Sequence, residues 1–313
     1  MSFGIVFPGQ GSQSVGMLSG LAKGYPSVKA TFDEASQVLG YDLWGLVQNG
    51  PEDELGRTER TQPALLAAGV AVWRAWREAG GDSPAVMAGH SLGEYTALVC
   101  AGALSYSEAV MLVARRGRSM QDAVPAGEGA MAAILGLDDA TLREVCEQAS
   151  NGEVLQPVNF NAPGQVVIAG HRSAVDRGIA AAKEAGAKRA VALAVSVPSH
   201  CRLMEPAARR LEEALGQAKI SRPKIPVVQN VDAAAHDDPD EIRDALVRQL
   251  YNPVLWVDVV RAMIERGAAI IVEAGPGKVL SGLGRRIDRS VPTLAAFDPD
   301  TLGAAMHAVA EKE

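Results

Sequence analysis

Ser91 sits between two glycines in Gly89-His90-Ser91-Leu92-Gly93, a spacing that can hold a nucleophile. Its flanks set the geometry. The run from Pro84 to Gly89 is short and apolar, as in a buried strand, and the residues from Glu94 to Leu104 place Tyr95, Leu98 and Val99 on one helical face. A G-x-S-x-G on a strand-to-helix turn stands the serine oxygen clear at a helix N-terminus, because its glycines let the chain bend sharply. The competing reading is a small residue in a tight turn. A base, an oxyanion site and a binding group would decide for chemistry.

Five histidines are available as the base. His90 adjoins Ser91, and neighbours on a sharp turn point apart. His171 ends an expected strand, His236 lies in the acidic loop "DAAAHDDPD", and His307 rides the C-terminal helix. His200 is different: it lies in "VSVPSHCRLMEP", where one set of elements hands over to the next, and it can present an imidazole to Ser91. The alternative for His200 is a buried ring with its hydrogen bonds satisfied. Cys201 is a rival nucleophile, but adjacent residues aim apart, and a buried thiol is the default reading.

In the helix expected from Tyr106 to Asp122, Ala109, Val113, Arg116 and Met120 share one face. Arg116 therefore interrupts an apolar stripe. A buried guanidinium needs an anion, either an internal Asp or Glu or the carboxylate of a substrate. Two glycine-rich stretches imitate nucleotide loops. The one from Gly9 has Ser14 where a third glycine is wanted, although its backbone N–H groups can face developing negative charge. In the other, Val272 and Val279 occupy positions that a phosphate loop reserves for Gly and Ser or Thr.

The elements that must position these residues follow from alternation. Up to residue 124 the chain reads as the strand "FGIVF", helices over 27–39 and 62–79, a strand over 84–88, the elbow helix and the long helix. Residues 129–197 read β-α-β-β-α-β, closing with the strand "KRAVALAVSV", and α/β alternation resumes with strands "IPVVQN", "AAIIVEAG" and "PTLAAF". The fold class expected is α/β: a large α/β-hydrolase-like domain with a parallel sheet (1–124 and 198–313) and an inserted small ferredoxin-like domain (125–197). The site belongs in the cleft between them.

The whole chain has 313 residues, is 48% hydrophobic and carries a net charge of −7, which disfavours general nucleic-acid binding. Three scattered cysteines without a C-x-x-C suggest neither a disulfide framework nor a zinc site, so a cytoplasmic setting is expected. The N-terminus lacks the basic segment of a signal peptide, and the uncharged stretch from Val154 to His171 is too broken by Pro, Asn and Gly to span a membrane.

"FPGQGSQ", "TQPAL", "GHSLGEYTALVCAG", "RG" after the long helix, "VPSH", "VRQLYNPV" and "EAGPGKVL" appear in this order, from about Phe3 to past Arg286. Together they resemble the free-standing bacterial malonyl-CoA:acyl carrier protein transacylases. The resemblance implies that Ser91 carries the acyl group, His200 is the base and Arg116 binds the malonyl carboxylate. It further implies that the backbone amides of Gln10 and Leu92 form the oxyanion hole, and that the main-chain carbonyl of Gln249 orients His200. The implied substrates are thioesters of CoA and of the carrier protein's phosphopantetheine, with no metal and no bound cofactor. Malonyl-CoA and acyl carrier protein are the implied partners, and the implied pathway is fatty acid synthesis. A thioesterase on the same Ser-His site and a non-catalytic acyl-binding module are the alternatives.

Overall fold

The computed structural model describes residues 2–195 and 197–311. Side-chain alternation along short apolar strands builds the centre of the molecule. In β1 (Gly4–Phe7), Ile5 and Phe7 enter one hydrophobic core and Val6 enters another on the opposite face. The same split separates Met87 from Val86 and Ala88 in β2 (Val86–Gly89). Both faces are therefore covered, as a parallel sheet requires. The helices Thr58–Glu78, Gly93–Cys100 and Tyr106–Gln121 cover one face, and Trp256–Glu265 and Val279–Ile287 the other.

A second sheet is antiparallel. It contains β3 (Gly129–Leu135), β4 (Leu155–Ala162), β5 (Gln165–His171) and β6 (Arg189–Ala192), in the order β4-β5-β3-β6. The helices Asp139–Ser150 and Arg172–Glu184 cover one face of it. Its other face, with Met131, Val158, Val167 and Ala169, packs with Cys201. The large sheet is completed by β7 (Val227–Val228), β8 (Ile271–Ala274) and β9 (Thr293–Ala296), in the parallel order β7-β2-β1-β8-β9. The fold is thus mixed α/β with a parallel sheet. Backbone bonds from Val254 N to Val158 O (2.8 Å) and from Phe160 N to Val254 O (3.0 Å) stitch the two parts together. Gly129 packs directly against Pro198, so the chain enters and leaves the small sheet at neighbouring points.

Three departures from the sequence reading have local causes. The strand expected over "KRAVALAVSV" ends at Ala192, and Ser196 within it lies outside the described residues. Beyond Ala192 the chain turns away through short bonds from Val195 N to Leu193 O and from Ser199 N to Val197 O, and becomes an irregular strap. The strand expected over "IPVVQN" shrinks to two residues at the sheet edge. The helix expected from 62 starts at Thr58, with Pro63 inside it, and the short helices Ser19–Gly24, Leu43–Asn49 and Glu52–Gly56 carry no strong sequence signal.

Candidate active site

β2 ends at Gly89, the helix Gly93–Cys100 begins four residues later, and Ser91 between them takes a left-handed backbone with φ 52°. A non-glycine residue seldom holds that conformation unless its surroundings impose it. Here they do. A Cβ on Gly89 would run into the Gly93 carbonyl, and one on Gly93 into the carbonyl of Phe7, so β1, β2 and the helix meet at van der Waals contact. Asn230 braces the turn from both sides: Ser91 N donates to its Oδ1 (2.6 Å), and its Nδ2 donates to Gly89 O (2.7 Å). Asn230 is itself anchored by its backbone N–H, which donates to Glu94 Oε2 at 2.7 Å.

His200 arrives on the strap leaving the small sheet, also with a left-handed φ of 66°. Its Nε2 lies 2.8 Å from Ser91 Oγ, and its Nδ1 lies 2.7 Å from the main-chain oxygen of Gln249. A carbonyl can only accept, so Nδ1 carries the proton and Nε2 is free to accept from the serine hydroxyl. Burial, and then the charge of Arg116, lowers the imidazole from 6.5 to about 3. It is neutral at neutral pH, as a base must be before the reaction.

Arg116 is 1% exposed. Its Nη1 donates to Gln62 Oε1 (2.9 Å), and its Nη2 donates to Gln249 Oε1 (3.0 Å) and Ser91 Oγ (3.2 Å). Its guanidinium carbon lies 5.6 Å from the centre of the Tyr95 ring. Among the described residues Arg116 has no ion-pair partner, so the internal Asp or Glu considered from sequence is replaced by two neutral amide oxygens. Glu94 is the acid nearest in effect, but burial pushes its carboxyl up to about 8. A buried cation with neutral partners beside a nucleophile is a ready receptor for an anionic substrate group.

These side chains border a cavity of about 200 Å³. Gln62, Ser91, Arg116 and His200 are among its polar groups, and Met131, Val167, Leu193, Val195 and Val197 give it one apolar wall. Gln10, just after β1, and Leu92, just before the elbow helix, also line it. First-turn N–H groups of a helix lack intrahelical acceptors, so the Leu92 amide is suited to face an oxyanion.

The remaining histidines do not reach Ser91, although His90 and its partner Asn161 line the same cavity. His90 turns away from Ser91 to Asn161 Oδ1 (2.8 Å), and His171 Nδ1 accepts from Val154 N (3.0 Å). His236 sits between Asp232 and Glu241, and His307 pairs with Glu311. The buried Cys201 thiol donates to Pro198 O, and burial raises it to about 12, leaving it inert as a nucleophile. The helix N-terminus after "GPGK" is already filled by Glu273, which accepts from Leu280 N and from Ser281 N and Oγ. Sequence reasoning gave no role to Asn230, Gln62, Glu94 or the Gln249 side chain. Gln62 stands in the "TQPAL" motif and Glu94 directly follows the elbow, so position was a signal for those two.

The family model described as "Acyl transferase domain" matches residues 5–295. A malonyl CoA-acyl carrier protein transacylase of Escherichia coli K12 is 57% identical over 97% of this chain and 98% of its own length. The one of Bacillus subtilis is 44% identical, covering 98% and 97%. Among solved structures, an acyl carrier protein S-malonyltransferase from Vibrio cholerae superposes with a TM-score of 0.95 at 57% identity, covering 97% of this chain and 100% of that one. A malonyl-transacylase in complex with its type II PKS acyl-carrier protein superposes at 0.97 with 54% identity, covering 98% and 100%.

Proposed function

The chain belongs to the acyl transferase family and, within it, to the malonyl CoA-acyl carrier protein transacylases, and from that premise we propose how its residues share the reaction. The enzyme moves malonyl from malonyl-CoA to the phosphopantetheine thiol of acyl carrier protein, in the service of fatty acid synthesis. Ser91 Oγ gives its proton to His200 Nε2 and attacks the thioester carbonyl. The N–H groups of Gln10 and Leu92 hold the oxyanion, each contributing about 3 kcal/mol. The C–S bond then breaks, CoA leaves as the thiol with the proton from His200, and malonyl-Ser91 remains. The carrier thiol repeats the sequence in reverse sense: its proton goes to His200, its sulfur attacks the ester, and Ser91 Oγ leaves and recovers the proton. This is a ping-pong cycle.

Arg116 receives the malonyl carboxylate, with Gln62 and Gln249 fixing the plane of its guanidinium. The Gln249 carbonyl takes the place of a triad acid, making Ser91 and His200 a dyad. Acyl transfer between sulfur and oxygen changes no oxidation state, and we assign no metal or cofactor to any step. We read the elbow-bearing parallel sheet (1–124 and 198–313) as α/β-hydrolase-like and the inserted antiparallel unit (125–197) as ferredoxin-like, and the setting as cytoplasmic.

The observation that carries this assignment is the meeting of three groups at one oxygen: Ser91 Oγ lies 2.8 Å from His200 Nε2 and 3.2 Å from Arg116 Nη2. Brief exposure to labelled malonyl-CoA should load one malonyl on the wild-type chain and none on Ser91→Ala, with transfer to added carrier protein. An adduct retained in Ser91→Ala would refute the nucleophile. Free malonate released in place of transfer would indicate a thioesterase.

A further inference from the structure

We propose that the substrate's carboxylate is also an activator: by pairing with Arg116 it removes a positive charge that otherwise restrains the Ser91–His200 pair. The proposal rests on the malonyl-transfer reading above and adds a catalytic consequence to binding. Arg116 Nη2 donates to the same Ser91 Oγ that faces His200 Nε2, so the two basic groups lie no further apart than the sum of 3.2 Å and 2.8 Å. When the serine proton crosses to His200, an imidazolium forms opposite that guanidinium. The attacking oxygen cannot offset it for long, because its negative charge passes to the carbonyl oxygen as the C–O bond forms. Two like charges then share a buried site.

Among the described residues, nothing around Arg116 neutralises it. Across the elbow helix, Glu94 holds its proton because burial raises it to about 8, and the Tyr95 phenol is raised further still. From the turn before that helix, His90 is kept neutral by burial. The Cys201 thiol, beside His200 in sequence, is raised to about 12. The helices carrying Gln62 and Gln249 offer only neutral amide oxygens. The free site is therefore cationic, and both Arg116 and His200 are buried. A carboxylate bound to Arg116 makes it neutral and lets His200 hold a proton. An acyl group without a carboxylate then suffers twice: it lacks a grip on Arg116, and it meets a suppressed base. Unit charges roughly 6 Å apart at an effective dielectric of about 20 imply an acylation-rate effect of about 10- to 100-fold.

The test compares malonyl-CoA with malonamyl-CoA, its uncharged amide isostere, in single-turnover acylation of Ser91 at saturating thioester. Rates are followed by intact mass from acidic pH to neutrality, where Glu94 stays protonated. Malonyl-CoA should acylate about 10- to 100-fold faster, and its rate should fall away on the acid side at a higher pH than that of malonamyl-CoA, because its base is the stronger one. In Arg116→Met the malonamyl rate should rise above wild type and the two profiles should converge. Equal saturated rates and profiles in the wild type, with only the half-saturating concentrations differing, would reduce Arg116 to a binding group and overturn the proposal. So would an unchanged malonamyl rate in a folded Arg116→Met. No Ser91 adduct from malonyl-CoA at all would remove the underlying reading as well, and that outcome is distinct from the other two.

Discussion

Gln249 reaches every reacting member of the site at once. Its main-chain oxygen accepts from His200 Nδ1, its Oε1 accepts from Arg116, and its Nε2 donates to Ser91 O at 3.0 Å. Gln249→Ala keeps the first of these contacts and loses the other two, leaving a buried guanidinium short of an acceptor. Such a loss costs about 1–3 kcal/mol. Malonyl-CoA kcat/KM should therefore fall roughly 10- to 100-fold, and acetyl-CoA kcat/KM by less, because the grip of Arg116 on a carboxylate depends on its orientation. Measured kcat/KM for both thioesters, beside a thermal melt, checks this. An effect of threefold or less on both would mean that the backbone carbonyl is all that Gln249 contributes. Arg116 itself was legible in the sequence as a cation on an apolar stripe, but its neutral partners were not, since glutamine on a helix reads equally well as surface.

At the scale of elements, the elbow is held by a strand it does not belong to. β7 runs parallel to β2, and the chain beyond its end delivers Asn230 to the turn, at the carboxyl ends of the strands where α/β sheets gather their sites. Asn230→Ala leaves Ser91 N–H and Gly89 C=O without their partner and the left-handed serine without its brace. We expect acylation kcat to drop about 10- to 100-fold with KM little changed, on the scale of one orphaned buried donor. Asn230→Asp, which can still accept from Ser91 N–H, should recover part of that loss. Equal melting losses in both variants with kcat unchanged would assign Asn230 to stability alone. The parallel sheet and the long helices could be read in advance because apolar runs and 3.6-residue stripes are local signals. Asn230 could not: an asparagine after a strand reads as a turn residue, and its partner Ser91 lies 139 positions away. The strap after Ala192 was misread for a related reason. Its alternating apolar side chains look like a strand, but Leu193, Val195 and Val197 face the cavity.

At the scale of the molecule, two buried groups shape stability against pH. Glu94 has its carboxyl raised from 4.5 to about 8, so the folded chain keeps a proton that the unfolded chain gives up. That contribution is full below 4.5 and drains away as pH climbs through 8. His200, lowered from 6.5 to about 3, behaves oppositely: its contribution is present above 6.5 and is lost as pH falls toward 3. Glu94→Gln should therefore flatten the alkaline decline in denaturant midpoint and leave the acid decline in place; an alkaline decline that survives the substitution would count against this assignment. Surface charge bears on partners. Lys188 and Arg189 at the start of β6 and Arg286 from the helix Val279–Ile287 share one hollow with Asp138, a locally basic patch on an acidic chain. Arg189→Glu with Arg286→Glu should raise the carrier-protein KM, more steeply at low salt, while acylation by malonyl-CoA holds. If acylation changes and transfer does not, the hollow serves the nucleotide instead. The adjacency of Gly129 and Pro198 has a consequence for how such enzymes can diversify. Because the chain enters and leaves the antiparallel sheet at neighbouring points, that sheet resembles a cartridge clipped into a holder: it and the strap after it carry one apolar wall of the cavity, while Ser91, Asn230 and Arg116 stay in the holder. Exchanging that cartridge between homologues would recut the shape of the cavity in one genetic step, provided the exchanged sheet keeps the asparagine that meets His90 of the elbow.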